Sequence, residues 1–297
     1  MINFLKYLTI ISCFVTPLLA KQDTRPLIIS IPKCGTHLLQ KCIQLIIKDK
    51  ELCSYAHARY SPDKISIINN RKSFFIIRDP RDQLISFIYH VIIRINVYKD
   101  NPEMREKLKS FWQYENLSFS EKISHLIDRG APYYDIYRSS AEESQKSYLE
   151  WQQSLLKIKN HQNNPQIKYQ LQSFMDYKNP TGNTTHGINQ FYSEYLGWQK
   201  VPGICNIKFE NLVGPKGGGT LEKQLAEIKK IAHHLGKHLS DKEIKEVAKN
   251  LFGESNTFRK GKIGSWKKHF NDDHKNHFKR LAGSLLINLG YEKDFNW

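Results

Sequence analysis

Between Pro26 and Ile31 the chain reads PLIISI, an apolar run rich in β-branched residues and bounded by prolines, which predicts a short buried strand. From Gly35 onward Leu38, Leu39, Cys42, Ile43, Ile46 and Ile47 recur at three- and four-residue spacing, so a helix is expected after the turn. LCSYAHARYSP predicts a second short strand leading into a loop. KSFFIIRDPRDQLISFIYHVIIRI then repeats the first theme, with a strand over Ser73–Ile77, a turn and a long amphipathic helix. A further strand is expected in GICNIKFENL (Gly203–Leu212), followed by a glycine-rich loop that enters a helix. Strand, turn and helix occurring twice imply βαβ units and an α/β fold with a central parallel sheet. Ligands of such sheets sit outside the carboxyl ends of the strands.

Residues 100–200 are rich in Lys, Glu, Gln, Ser, Tyr and Trp and carry helical patches without strong periodicity. They predict a variable, mostly helical region that covers an acceptor, with Trp112, Tyr133, Tyr134, Trp151 and Tyr192 available to line an apolar pocket. With no internal repeat and no clear linker, residues 21–297 read as one domain.

The first residues differ. MINFLKYLTIISCFVTPLLAKQ has an early lysine, an uncharged apolar run from Tyr7 to Leu19 and the small residue Ala20 before Lys21, the layout of a secretory signal peptide over residues 1–20. Its run is too short to span a bilayer comfortably, which argues against stable membrane insertion. The expected location is secreted, periplasmic or within a secretory pathway; a misread segment would leave the protein in the cytoplasm.

Composition narrows the partners. With 45 Lys+Arg against 29 Asp+Glu, the formal net charge of +16 points to an anionic ligand or surface, although a lysine-rich genome produces the same excess. Aromatic residues are not interleaved with the basic ones as a nucleic-acid stacking platform needs, which argues against nucleic acid. The five cysteines fit neither a metal-finger spacing nor a dense disulfide framework, and Cys42 and Cys53 are expected on buried elements as small hydrophobes. The segment HFNDDHKNHF groups His269, His274 and His277 around two aspartates, and a polar helix face explains it without a metal.

Three turns carry candidate chemistry. In IPKCGTHLL, Gly35 lets the backbone approach an anion at a helix N-terminus, Lys33 adds charge and Thr36 a hydroxyl. It is neither the nucleotide P-loop, whose glycines precede Lys-Ser/Thr, nor the cysteine phosphatase loop, because Gln40 stands where that loop needs arginine. In IRDPRDQLIS, Arg78 ends a strand and Ser86 lies two helical turns further on; the guanidinium fork suits a phosphate. In FRKGKIGSWKKHF, Arg259, Lys260, Gly261 and Gly264 can wrap a phosphate, and Trp266 can pack beside a base. Taken singly, each also fits an ordinary turn, local ion pairing or a solvated basic run.

Taken together and in this order, the three resemble the sulfotransferase family of the cytosolic type: its 5′-phosphosulfate loop, its 3′-phosphate site and its C-terminal nucleotide loop. The likeness runs from residue 27 to about residue 270, and the middle hundred residues carry none of it. It implies a P-loop-like three-layer α/β fold and transfer of the sulfuryl group of 3′-phosphoadenosine 5′-phosphosulfate (PAPS), without a metal, to a hydroxyl or amine on a small-molecule, lipid or glycan acceptor. Lys33, Cys34, Gly35, Thr36 and His37 map onto the 5′-phosphosulfate loop; Arg78, Ser86, Arg259, Lys260 and Gly261 map onto the 3′-phosphate contacts. His57, in SYAHARYSP, maps onto the family's catalytic base, and Lys33 onto the cation that stabilises the leaving group.

Several positions depart from that pattern. Tyr55 replaces a lysine two residues before the base, Leu38 replaces a tryptophan that stacks on adenine, and His37 replaces a loop hydroxyl. The family's dimer motif reads here as Lys267 followed by Asn271, Asp272 and Asn276, which argues against dimerisation by that route. A non-catalytic nucleotide-binding module and a basic polyanion-binding protein are the rival classes.

Overall fold

The computed structural model describes residues 23–49, 53–107, 114–129, 187–253 and 260–297. The expected signal segment over residues 1–20, Arg259, Trp112, Tyr133, Tyr134 and Trp151 lie outside the described residues. Among those described, no helix is long and apolar enough to cross a membrane.

Four strands, β1 (Leu27–Ser30), β2 (Ser54–Ala56), β3 (Ser73–Ile77) and β4 (Ile204–Lys208), form a parallel sheet in the order β2-β1-β3-β4. Parallel neighbours require crossovers, and helices supply them on both faces. Leu27, Ile29, Phe75 and Ile77 point into one apolar cluster, while Ile28, Phe74, Ile76 and Ile207 point into the other. This two-sided burial is why LIIS and SFFII read as continuous apolar runs rather than alternating ones.

One layer contains α1 (Thr36–Ile47), α7 (Leu221–His234) and α8 (Asp241–Leu251), which bring Leu39, Cys42, Ile43, Ile228, Ile231 and Leu251 to the second cluster. The other contains α2 (Pro80–Tyr98), α4 (Phe119–Arg129), α5 (Ile188–Leu196) and α9 (Asp272–Asn288); the short α3 (Pro102–Lys107) follows α2. The architecture is therefore the expected three-layer α/β arrangement, with Cys42 and Cys53 buried as anticipated.

Three local expectations change. First, α2 is not amphipathic at its start: Pro80, Arg81, Asp82, Gln83, Leu84 and Ile85 are all buried. It passes through the middle of its layer, so even its polar side chains find internal partners. Second, the strand expected over Gly203–Leu212 stops at Lys208, and Phe209–Leu212 forms a single helical turn, α6. Phe209 and Leu212 are three residues apart, so a turn of helix buries both where an extended chain would split them between faces. Third, Tyr192 on α5 lines no open pocket. It is fully buried, and its hydroxyl donates to the Arg78 carbonyl at 3.3 Å.

Candidate functional site

The carboxyl ends of β1, β2 and β3 bring the candidate residues together. After Ser30 the chain turns through Lys33 and Gly35, both left-handed at φ 67° and φ 101°, before α1 begins at Thr36. A Cβ at residue 35 would stand 2.6 Å from Phe209 Cδ2, so conformation and space both demand glycine. Lys33 has no such freedom, and its left-handed backbone costs about 1–2 kcal/mol. Side chains cap α2 (Asp79), α7 (Thr220), α8 (Ser240) and α9 (Asn271), but none caps α1, whose first turn also lacks an acid. The turn leaves the positive end of α1 facing outward from the sheet.

Cys34, inside this turn, is fully buried with Sγ 3.8 Å from the Tyr192 hydroxyl. Burial pushes its thiol up to about 12, so it serves as packing and not as a thiolate nucleophile.

His57 reaches the same turn through strand pairing. Leu27, Ile28 and Ile29 of β1 pair with Ser54, Tyr55 and Ala56 of β2, so the next step places His57 beside Ser30. His57 Nδ1 lies 3.2 Å from the Ser30 carbonyl oxygen and 2.9 Å from Ser30 Oγ. A carbonyl can only accept, so the Nδ1 proton is held there and Nε2 is the unprotonated ring nitrogen. Tyr55 meets both His37 and His57 edge-on, with ring centroids at 5.5 and 5.8 Å. His37 Nδ1 donates to Gln40 Oε1 at 3.0 Å. Burial, aided by the nearby Lys33 charge, lowers His37 and His57 each to about 4. The same two causes push the buried His90 on α2 well below its ordinary value. Lys33 thus faces imidazoles that are neutral at neutral pH.

Arg78 follows the end of β3 and ties the turn to the C-terminal loop. It is 7% exposed, lies 4.3 Å over the Phe209 ring, and donates to the Lys262 carbonyl at 2.9 Å and the Lys33 carbonyl at 3.5 Å. Its Nε is buried and has no hydrogen-bond partner among the described residues. Ser86 is half-buried two turns along α2. In the C-terminal loop Lys260 is exposed, and Gly261 packs so closely that a Cβ on Gly217 would lie 2.7 Å from its carbonyl oxygen. The Ile263 N–H donates to the Gly217 carbonyl at 2.9 Å, joining this loop to the glycine-rich segment before α7.

Trp266 does not stand open for a base. It is 5% exposed, with the Arg81 guanidinium 4.0 Å from its ring centre and Trp297 edge-on at 5.6 Å. Its ring belongs to a cluster that pins the loop to α2, which corrects the sequence expectation. The histidine-rich segment also resolves into separate contacts. His274 accepts from the Asn271 N–H in a capping box and donates to Ser120 Oγ at 2.8 Å; His277 bonds Asp128 at 2.7 Å; His269 packs against Tyr89 and Phe119. Among the described residues, no three metal-ligating side chains converge.

Three site residues escape sequence reasoning. Asp82 accepts from the Gly264 N–H at 2.7 Å and the Trp266 N–H at 3.0 Å, with Arg78 at 3.9 Å. Glu210 accepts from the Asp79 N–H at 2.8 Å and the Tyr291 hydroxyl at 3.1 Å, and burial pushes it up to about 7. Ser30 bridges His57 and Thr36. Asp82 alone left a visible signal, a second acid within RDPRDQ.

No family model matches the chain, and no curated protein matches it. Among solved structures, that of retinol dehydratase in complex with androsterone and inactive cofactor PAP matches with a TM-score of 0.51 at 14% identity, covering 89% of this chain and 81% of that chain. A second structure, retinol dehydratase in a complex with retinol and PAP, matches at 14% identity with a TM-score of 0.41, covering 89% and 82%. The first likeness establishes a shared fold.

Proposed function

We propose that the chain is a sulfotransferase that moves the sulfuryl group of PAPS to a hydroxyl or amine of a small acceptor. The observation that carries this reading is the N-terminus of α1, which no side chain caps among the described residues, with Gly35 as its left-handed entry residue and, beside it, the buried Nε of Arg78, which has no hydrogen-bond partner among those residues. Both features call for an anion: orphan N–H groups at a helix start bind one readily, and a buried guanidinium nitrogen without an acceptor costs free energy until one arrives. The fold neighbour supports the choice of anion, since its structure holds PAP, the species PAPS becomes when the sulfuryl group has left. Androsterone in that structure favours a hydroxyl-bearing acceptor of similar size.

The residues present fit the donor. Lys33, Thr36, His37 and the backbone of residues 34–36 would hold the 5′-phosphosulfate; Arg78, Ser86, Lys260 and Gly261 would hold the 3′-phosphate, with Arg259, outside the described residues, assigned to it by the family resemblance alone. When bound, the donor supplies an activated sulfur–oxygen bond. His57 Nε2 takes the proton of the acceptor hydroxyl as the new sulfur–oxygen bond forms. Lys33 stabilises the negative charge that collects on the departing phosphate oxygen as the old bond breaks. Tyr55 covers the imidazole edge where a second cation would otherwise stand.

The test is transfer of radiolabelled sulfate from PAPS to a panel of phenols, sterols, amines and glycans. At least one acceptor becomes labelled, and Lys33→Ala lowers that rate by 10²–10³-fold, the order found when one such charge-stabilising contact is lost. A folded protein that binds PAP but labels none of the panel would instead be a nucleotide-binding module.

A further inference from the structure

Ser30 stands out once the sheet is seen. Its side chain is wholly buried at the end of an otherwise apolar strand, where a hydroxyl needs partners. It has two: His57 Nδ1 at 2.9 Å and Thr36 Oγ1 at 2.8 Å. One belongs to the neighbouring strand, the other to the first residue of α1, so a single hydroxyl touches both halves of the site.

We propose that Ser30 is a positioning residue whose hydroxyl orients the His57 imidazole and the Thr36 hydroxyl together, locking the base to the anion-holding turn. The inference rests on the sulfotransferase reading for its consequence in catalysis, but the arrangement itself is independent of it. The donor sequence runs one way. His57 Nδ1–H is shared between the Ser30 carbonyl and Ser30 Oγ; the Ser30 hydroxyl proton then points to Thr36 Oγ1. That leaves the Thr36 proton to be donated away from Ser30, toward the turn, and leaves Nε2 as the basic nitrogen of His57. Without the hydroxyl, His57 keeps the longer contact to the carbonyl but loses the shorter one, and Thr36 loses the donor that sets its direction. A small misplacement of a base costs up to about a hundredfold in rate.

The experiment compares the full chain with Ser30→Ala, Ser30→Cys and Ser30→Thr, using long-range proton–nitrogen correlation spectra of histidine-labelled protein, with His57→Gln to assign the signals. The wild type shows His57 in the Nδ1–H form. Ser30→Ala keeps the Nδ1–H form through the remaining carbonyl but shifts the His57 ring nitrogen and proton signals as the second acceptor is lost, Ser30→Thr restores them, and Ser30→Cys, which keeps the shape but weakens the hydrogen bond, falls between them. In the transfer assay Ser30→Ala lowers kcat about 10- to 100-fold, and Ser30→Thr recovers most of it. Unchanged His57 ring signals in folded Ser30→Ala, or a kcat within twofold of wild type, overturns the proposal. A change in the His57 ring signals of a protein with no transfer in any variant leaves the role of Ser30 standing and removes the sulfotransferase reading instead.

Discussion

Replacing His57 with glutamine lowers kcat for sulfuryl transfer by 10²–10⁴-fold, the range that a positioned general base contributes. PAP affinity in the same variant stays within a few fold, because the imidazole acts on the acceptor and not on the nucleotide. Glutamine keeps roughly the shape and can still donate to Ser30, so the loss reports basicity. The pH profile adds a sharper signature. Burial lowers His57 to about 4, where an ordinary imidazole titrates near 6.5. The neutral, proton-accepting form therefore persists down to that point, and the acid limb of kcat/KM assigned to His57 falls near pH 4. A limb near pH 6.5 in the wild type would contradict the lowering by burial, and an unchanged rate in His57→Gln would remove His57 as the base.

The second large effect concerns Asp82. Its carboxylate holds the Gly264 and Trp266 N–H groups and faces Arg78, all in buried surroundings. Burial, with the neighbouring Asp79, raises this carboxyl above its ordinary value, and Arg78 and the two N–H groups offset only part of that. Asp82→Ala strands two backbone donors and leaves a buried guanidinium without its nearby acid. Removing one partner of such a buried pair costs about 3–5 kcal/mol. We expect a loss of that order in denaturant unfolding, together with loss of PAP binding, since Arg78 and the C-terminal loop lose their common anchor. Asp82→Asn, which keeps one acceptor oxygen, loses less. Wild-type stability in Asp82→Ala would show that the loop is held by the Trp266, Arg81 and Trp297 cluster alone.

Much of this was legible in the sequence, for identifiable reasons. The strands β1 and β3 are buried on both faces, so they appear as unbroken apolar runs, and Ser73–Ile77 could be read to the residue. Gly35 was legible because a turn before a helix has few ways to use a glycine. His57 was not: just past β2, only the family resemblance separated it from a surface histidine, and the pairing of β1 with β2 is what brings it to Ser30. Ser30 was hidden because one hydroxyl does not break an apolar pattern. Asp82 and Glu210 were hidden because their partners lie far along the chain, 182 residues away at Gly264 and 81 at Tyr291. Trp266 was misread because a tryptophan in a basic loop resembles a base platform, and only the fold brings Arg81 to its ring.

The central claim is that the α1 turn and Arg78 bind a phosphoadenosine anion. Calorimetric titration of the purified full chain with PAP, alongside Lys33→Ala and Arg78→Ala, tests it most directly. The account predicts one site of micromolar affinity, weakened at least tenfold in each variant while circular dichroism remains native. A folded wild-type protein that gives no heat and no thermal shift with PAP would contradict it.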